Sequence, residues 1–189
     1  MYYMMLCQSP AKADKAMLNY KPDHPFRSWM SGSRFVTDAT GPAFRHAPPE
    51  PIRVEVKPGY EGVFVEFWDS PLPLMSKRLV AALQAAAVTN VDTYQTEIFD
   101  SKANRTVRDY VAVNIIGKIA AADLSKSSHD PSIPWFDSVV IDPKSAHEAL
   151  MFRLAESVNA IVVHEKVKKY LEEHGIDTLT FIPPEQWAG

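Results

Sequence analysis

The stretch NAIVVHEKVKKYLEEHGIDTLTFIPP, Asn159–Pro184, reads as strand, amphipathic helix, glycine stop and strand. Asn159 to Val163 form a compact run of strand length, and His164 through His174 carry a helical period. Val167, Tyr170, Leu171 and His174 fall at i, i+3, i+4 and i+7, so one helical face is apolar. Lys166, Lys168, Lys169, Glu172 and Glu173 take the opposite face. Gly175 stands where a left-handed helix cap is expected, and Pro183-Pro184 stops the strand Thr178 to Ile182. The segment fixes a folded domain of mixed α and β content and supplies no catalytic group.

The same reading extends outward. Met1 to Cys7 is a buried first strand, too short and without the basic start of a secretion signal. Gln8 to Pro51 is irregular, interrupted by Pro10, Pro22, Pro25, Pro42, Pro48, Pro49 and Pro51. Ile52, Val54 and Val56 alternate with charged residues, and Val63, Val65 and Phe67 alternate with Phe64 and Glu66. Pro58-Gly59 between them predicts a hairpin. A helix is expected from Ser76 to Val88, capped by Ser76, with Leu79, Val80, Leu83, Ala86 and Ala87 on one stripe. Strands follow at Val91 to Phe99 and Asp109 to Ile115, joined by the polar loop Asp100 to Arg108. A polar loop, Asp123 to Pro134, precedes a strand from Trp135 to Ile141, and Glu148 to Ala155 is ambiguous between strand and helix. The fold class is α+β: a mixed, mainly antiparallel sheet with two principal helices. A chain of 189 residues suits one domain, 1–189, or one domain with two lobes, 1–70 and 71–189.

Composition narrows the function. Apolar residues make up 46% and charged residues 23%, with a formal charge of −3 and the basic residues scattered. That argues against nucleic acid as a partner, because phosphate neutralisation needs a concentrated Lys/Arg face. No apolar run reaches membrane-spanning length, so no membrane partner is expected. Cys7 is the single cysteine, which fits a reducing compartment and a cytoplasmic location.

Catalytic motifs fail one by one. His147-Glu148 and His164-Glu165 would need a second histidine one turn later, and Met151 and Lys168 stand there instead. Ser9-Pro-Ala-Lys12 matches a bare Ser-x-x-Lys pattern, but none of its partner motifs follows. Cys7 lies in an apolar strand, where a thiol is an inert small hydrophobe. The seven glycines do not cluster into a phosphate-cradling loop. Asp123, Asp130 and Asp137 could converge near Trp135, yet their spacing is not diagnostic of paired acid–base carboxylates. No catalytic residue, metal ligand or cofactor is assigned. Of Trp29, Trp68, Trp135 and Trp187, Trp135 with Phe136 is the best exposed anchor; the others suit core edges.

Several stretches together resemble a known family. They are Trp29 with Gly32, Leu74-Met75-Ser76-Lys77-Arg78-Leu79 opening a helix, and Tyr94 to Phe99. Tyr110 to Asn114, Ala122-Asp123-Leu124-Ser125 and Met151-Phe152-Arg153-Leu154 follow, then Ile161 to Glu165 with its helix and Gly175. From about Tyr2 to Phe181 the chain is similar to the Imm11 immunity proteins of bacterial polymorphic toxin systems. His164 departs from the pattern, since a serine cap is more usual there. The resemblance implies a non-enzymatic cytoplasmic protein that binds and neutralises a cognate toxin domain. Its contact face is then expected in Pro22 to Pro51 and Asp123 to Trp135, with Trp29, Asp123, Asp130, Trp135 and Phe136 as candidate contacts. A small hydrolase or nucleotide-acting enzyme built on Asp123, Asp130, Asp137 and a distant histidine is the alternative. A scaffolding subunit with Trp135-Phe136 at a permanent interface is a third reading. Oligomeric state is not specified by the sequence.

Overall fold

The computed structural model describes residues 1–7, 14–20, 26–36, 45–130, 132–133 and 135–189. Along these the elements are β1 (Tyr2–Cys7), β2 (Leu18–Asn19), β3 (Ile52–Val56), β4 (Phe67–Trp68), β5 (Leu74–Ser76), α1 (Lys77–Ala85), β6 (Val91–Asp100) and β7 (Arg105–Val107). They continue as β8 (Tyr110–Ile115), β9 (Lys118–Ile119), β10 (Ser128–Asp130), β11 (Trp135–Ser138), β12 (Met151–Leu154), β13 (Ile161–His164), α2 (Glu165–Glu173) and β14 (Leu179–Ile182). Short 3-10 turns lie at Phe26–Met30 and Pro184–Gln186. The fold is α+β with two α-helices and mixed, mainly antiparallel strands, as the sequence predicts. Among the described residues no helix is long and apolar enough to cross a membrane.

The strands form two large sheets and a separate hairpin. One sheet runs β14-β1-β13-β12-β9, and the other runs β2-β3-β6-β8-β5-β4 with β7 also paired to β6. Each takes strands from both sides of residue 70. Both β13 and β14 are antiparallel to β1, which lies between them. The terminal strand–helix–strand is therefore a parallel pair split by the first strand. The continuous apolar runs of β1, β12 and β13 follow from burial on both faces. Met5, Met151 and Val163 enter a central core with both helices, whereas Met4, Phe152 and Val162 enter a second core on the far face. In β3, Ile52, Val54 and Val56 are buried while Arg53 and Glu55 are exposed, the alternation of a half-solvated strand. They meet Trp29, Trp68, Leu72 and Ile98 in a third core.

Both helices begin and end as local chemistry requires. The Leu79 N–H donates to Ser76 Oγ at 2.9 Å, and Leu79, Val80 and Leu83 turn inward. In α2 the cap is His164, whose Nδ1 accepts from the Lys166 N–H at 3.2 Å, so an imidazole does the work of the more usual serine. Val167 and Leu171 face the central core, each contributing about 1.5–3 kcal/mol by burial. The C-termini share one motif. Val88 N–H donates to Leu83 O at 2.9 Å and Ala87 N–H to Gln84 O at 2.9 Å; Ile176 and Gly175 repeat this on Leu171 and Glu172 at 3.0 and 3.1 Å. The left-handed residue is Gly175 (φ +71°) in α2 but Ala87 (φ +66°) in α1. Ala87→Gly should therefore stabilise the protein by about 0.5–1 kcal/mol, and Gly175→Ala should destabilise it by a similar amount or more. Gly175→Ala also places its Cβ 3.3 Å from Arg78 Nη2. Urea unfolding of both variants checks the opposite signs.

Three local expectations are corrected. The turn at Pro58-Gly59 forms, with Tyr60 N–H on Lys57 O at 3.0 Å, but the flanking segments do not pair as a hairpin. Strand β3 has β2 antiparallel on one edge and β6 parallel on the other, so neither edge is free for Val63 to Phe67. That segment instead bridges Lys15 through Val63 and continues into β4, which pairs β5. The polar loop Asp100 to Arg108 contains β7, folded onto β6 by a tight turn in which Asn104 takes φ +46°. The loop Asp123 to Pro134 likewise contains β10, paired with β11. Within residues 148–155, Met151–Leu154 form strand β12.

Candidate functional site

Most of the residues that carry the family resemblance hold the scaffold. Trp29 is fully buried, edge-on to Phe35 at 5.0 Å and to Tyr94 at 5.5 Å. Three residues on, Gly32 at φ +70° sits against residues 117–118; a Cβ there would lie 2.6 Å from Lys118 Cγ. Ser76 caps α1 and donates its hydroxyl to Glu66, while Arg78 pairs with Glu66 at 2.7 Å and donates to Gly175 O at 2.6 Å. One helix start thus ties β4's approach to the C-terminus of α2. Asn114, fully buried, donates from Nδ2 to Ser33 O at 2.8 Å. Arg153, 2% exposed, donates from Nη1 to Val158 O at 2.8 Å, and burial pushes its pKa down to about 10, still charged at neutral pH.

The surface feature closest to the sequence expectation is the hairpin β10–β11 with the turn before it. Trp135 is 51% exposed at the hairpin tip, Ile133 two residues before it is 52% exposed, and Leu124 on the preceding turn is 49% exposed. Phe136 points the other way, 3% exposed, with its ring stacked on His129 at 5.4 Å. The hairpin is held from behind: Phe136 exchanges backbone hydrogen bonds with Gly189 at 2.9 and 3.0 Å, and Val139 N–H donates to Pro184 O. Ser127 Oγ accepts from Val140 N–H at 2.9 Å, seating the turn that carries Asp123 and Leu124 against the strand. Asp123 accepts from Lys126 Nζ at 2.6 Å and from Ser125; Asp130 accepts from the Ser132 hydroxyl at 2.7 Å and its N–H at 2.8 Å. These bonds hold both carboxyls below the usual carboxylate range, so they are ionised at neutral pH.

Of the candidate contacts, Asp123, Asp130 and Trp135 lie on this feature at the surface; Phe136 supports it from the core, and Trp29 lies in a different core. Among the described residues, Asp123, Asp130 and Asp137 do not join a group that could hold a metal ion. Ser9 and Lys12 lie outside the described residues, as do 22–25 and 37–44 of the proline-rich segment, Pro131 and Pro134. Cys7 Sγ donates to Phe67 O at 2.5 Å, and burial pushes its thiol pKa up, away from nucleophilic character.

Sequence reading missed a second feature, a groove of about 950 Å³ between residues 62–66 and β7, reached by Lys77, Arg78, Arg105 and Arg108. Those cations come from the start of α1 and from the segment read as a loop. The linear signals are the pairs Lys77-Arg78 and Arg105 with Arg108, too sparse and too far apart to mark a patch.

Comparison with known proteins covers most of the chain. The model of the immunity protein family (Imm11) matches residues 2–185, and so includes all the scaffold residues above. No curated protein matches the sequence. The chain belongs to the Imm11 immunity protein family.

Proposed function

We propose that this chain neutralises a cognate toxin domain by binding it directly and stoichiometrically in the cytoplasm of the cell that makes both, with no catalytic step. The observation that carries the reading is the hairpin β10–β11: Ile133 and Trp135 expose apolar surface at its tip beside the ionised carboxylate of Asp130, and the turn before β10 carries exposed Leu124 and the ionised Asp123. A large aromatic on a strand braced from behind offers contact area at little entropic cost. Flanking carboxylates speed encounter with a basic toxin surface. Family membership supports a toxin-neutralising role in general terms.

The test is to express the C-terminal domain of the toxin encoded beside this chain, with and without it, and then titrate the purified proteins by calorimetry. Restored growth together with one-to-one binding is expected. Growth arrest that persists and an absence of heat would overturn the reading.

A further inference from the structure

The seven-stranded sheet leaves one strand position empty. Strand β5 pairs with β8 as far as Ser76↔Tyr110, and the chain then departs as α1. On the side of β8, the sheet runs on: β7 continues along the same flank of β6, with Val107 opposite Ile98 and Arg105 opposite Asp100. On the side of β4 the backbone also runs on, through residues 62–66, with Glu66 O accepting from Ser76 N–H at 2.8 Å. Between these two walls lies the place β5 would fill if it stayed extended, and the groove occupies it.

Both walls present unpaired backbone. Among the described residues β7 pairs with β6 alone. Val63 turns its N–H to Asp14 O at 2.9 Å and its C=O to Ala16 N–H at 3.0 Å, away from the groove. Backbone groups alternate along an extended chain, so those of Gly62 and Phe64 face the groove, and among the described residues neither makes a backbone hydrogen bond. Side chains alone link the walls: Lys102 with Glu61 at 3.8 Å, and the Arg105 guanidinium over the Phe64 ring at 5.7 Å. Unpaired edges invite an added strand.

Charge selects the occupant. The groove is lined by Lys77, Arg78, Arg105 and Arg108 against the acids Glu66 and Asp109, and Glu66 is taken up by Arg78 and Ser76. The side chains of Arg105 and Arg108 are 60% and 66% exposed, each with one carboxylate partner, which leaves further guanidinium donors free. Phe64 and Tyr110 supply an aromatic floor, their ring centroids 5.9 Å apart. We propose that an extended, carboxylate-bearing segment of the toxin enters this slot as the missing strand, paired through its backbone and held by the arginines. The proposal rests on the toxin-binding reading above.

The experiment mixes the chain with the same toxin domain and follows amide hydrogen exchange at Arg105, Thr106 and Val107, with calorimetry on an R105E/R108E variant whose folding is checked by thermal unfolding. Slowed exchange at β7 and affinity reduced at least tenfold, more at low salt, are expected. A wild-type chain that binds and protects cells while β7 exchanges as in the free protein, and a variant within twofold of it, would leave neutralisation standing and remove the slot from it. No binding by the wild type would overturn both. Protection that grows with the chain's own concentration, without toxin, would assign the slot to a second copy and overturn the proposal.

Discussion

Trp29→Ala is expected to lower the free energy of unfolding by about 3–5 kcal/mol, a large share of a small domain's total stability. The indole is fully buried and closes a ring of edge-on contacts with Phe35 and Tyr94, which themselves meet at 5.5 Å. Tyr94 sits on β6 opposite Ala112 of β8, so the ring fastens the 3-10 turn to the centre of the seven-stranded sheet. Alanine removes the shared partner and leaves a cavity that neighbouring strands cannot fill without shifting. Among the described residues Nε1 has no hydrogen-bond partner, so Trp29→Phe should forfeit area but no bond and cost only about 1–2 kcal/mol. Urea unfolding of the two variants measures how the cost grows with the cavity when no hydrogen bond is lost. Affinity for toxin, measured on the folded fraction, should be unchanged. A Trp29→Ala protein of near-normal stability with weakened toxin binding would return Trp29 to the contact face.

What was legible in the sequence was local. Ser76 and His164 begin helices, Gly175 ends one, and the apolar runs of β1 and β13 signal burial, all through interactions within a few residues. What was not legible is pairing between distant segments. Ile52 to Val56 reads as one arm of a hairpin because the turn beside it is real, yet its neighbours are Leu18–Asn19 and residues of β6. Arg105–Val107 is only three residues long inside a polar segment, and Ser128–Asp130 has weak strand preference; they are strands because β6 and β11 hold them. The groove was hidden for the same reason, since its walls lie some forty residues apart and meet only because β5 turns into α1.

The candidate face was legible to the extent that alternation is. Trp135 and Phe136 are adjacent, and in a strand adjacent side chains take opposite faces. The sequence marks both as anchors; the fold exposes Trp135 and gives Phe136 to the core. Most of the residues that carry the resemblance explain the fold rather than the contact, the surface turn with Asp123 and Leu124 excepted. Ser76, Arg78, Asn114, Gly32 and Arg153 each satisfy a backbone group or a close approach that would otherwise be strained or unpaired. A surface built on such a frame is free to vary in chemistry without loss of fold.

That division is sharpest in a neighbouring pair of substitutions. Trp135→Ala should weaken toxin binding by about 2 kcal/mol or more, roughly thirtyfold, while changing stability by no more than about 0.5 kcal/mol. Its side chain contributes contact area to a partner and little to the core. Phe136→Ala, one residue along the same strand, should do the reverse and cost about 3–5 kcal/mol of stability, because its ring is buried against His129 and a core that includes Val139 and Trp187. Its effect on binding should follow only from the hairpin's lost support. Calorimetry and urea unfolding on both variants, at a temperature where Phe136→Ala remains folded, give four numbers with opposite rank orders. Equal losses of affinity would make the hairpin one unit whose order, not whose tryptophan, is read by the toxin. A Trp135→Ala protein that binds like the wild type would move the contact face off this hairpin altogether, toward the β7 groove, where Arg105 and Arg108 and not an exposed aromatic would set affinity.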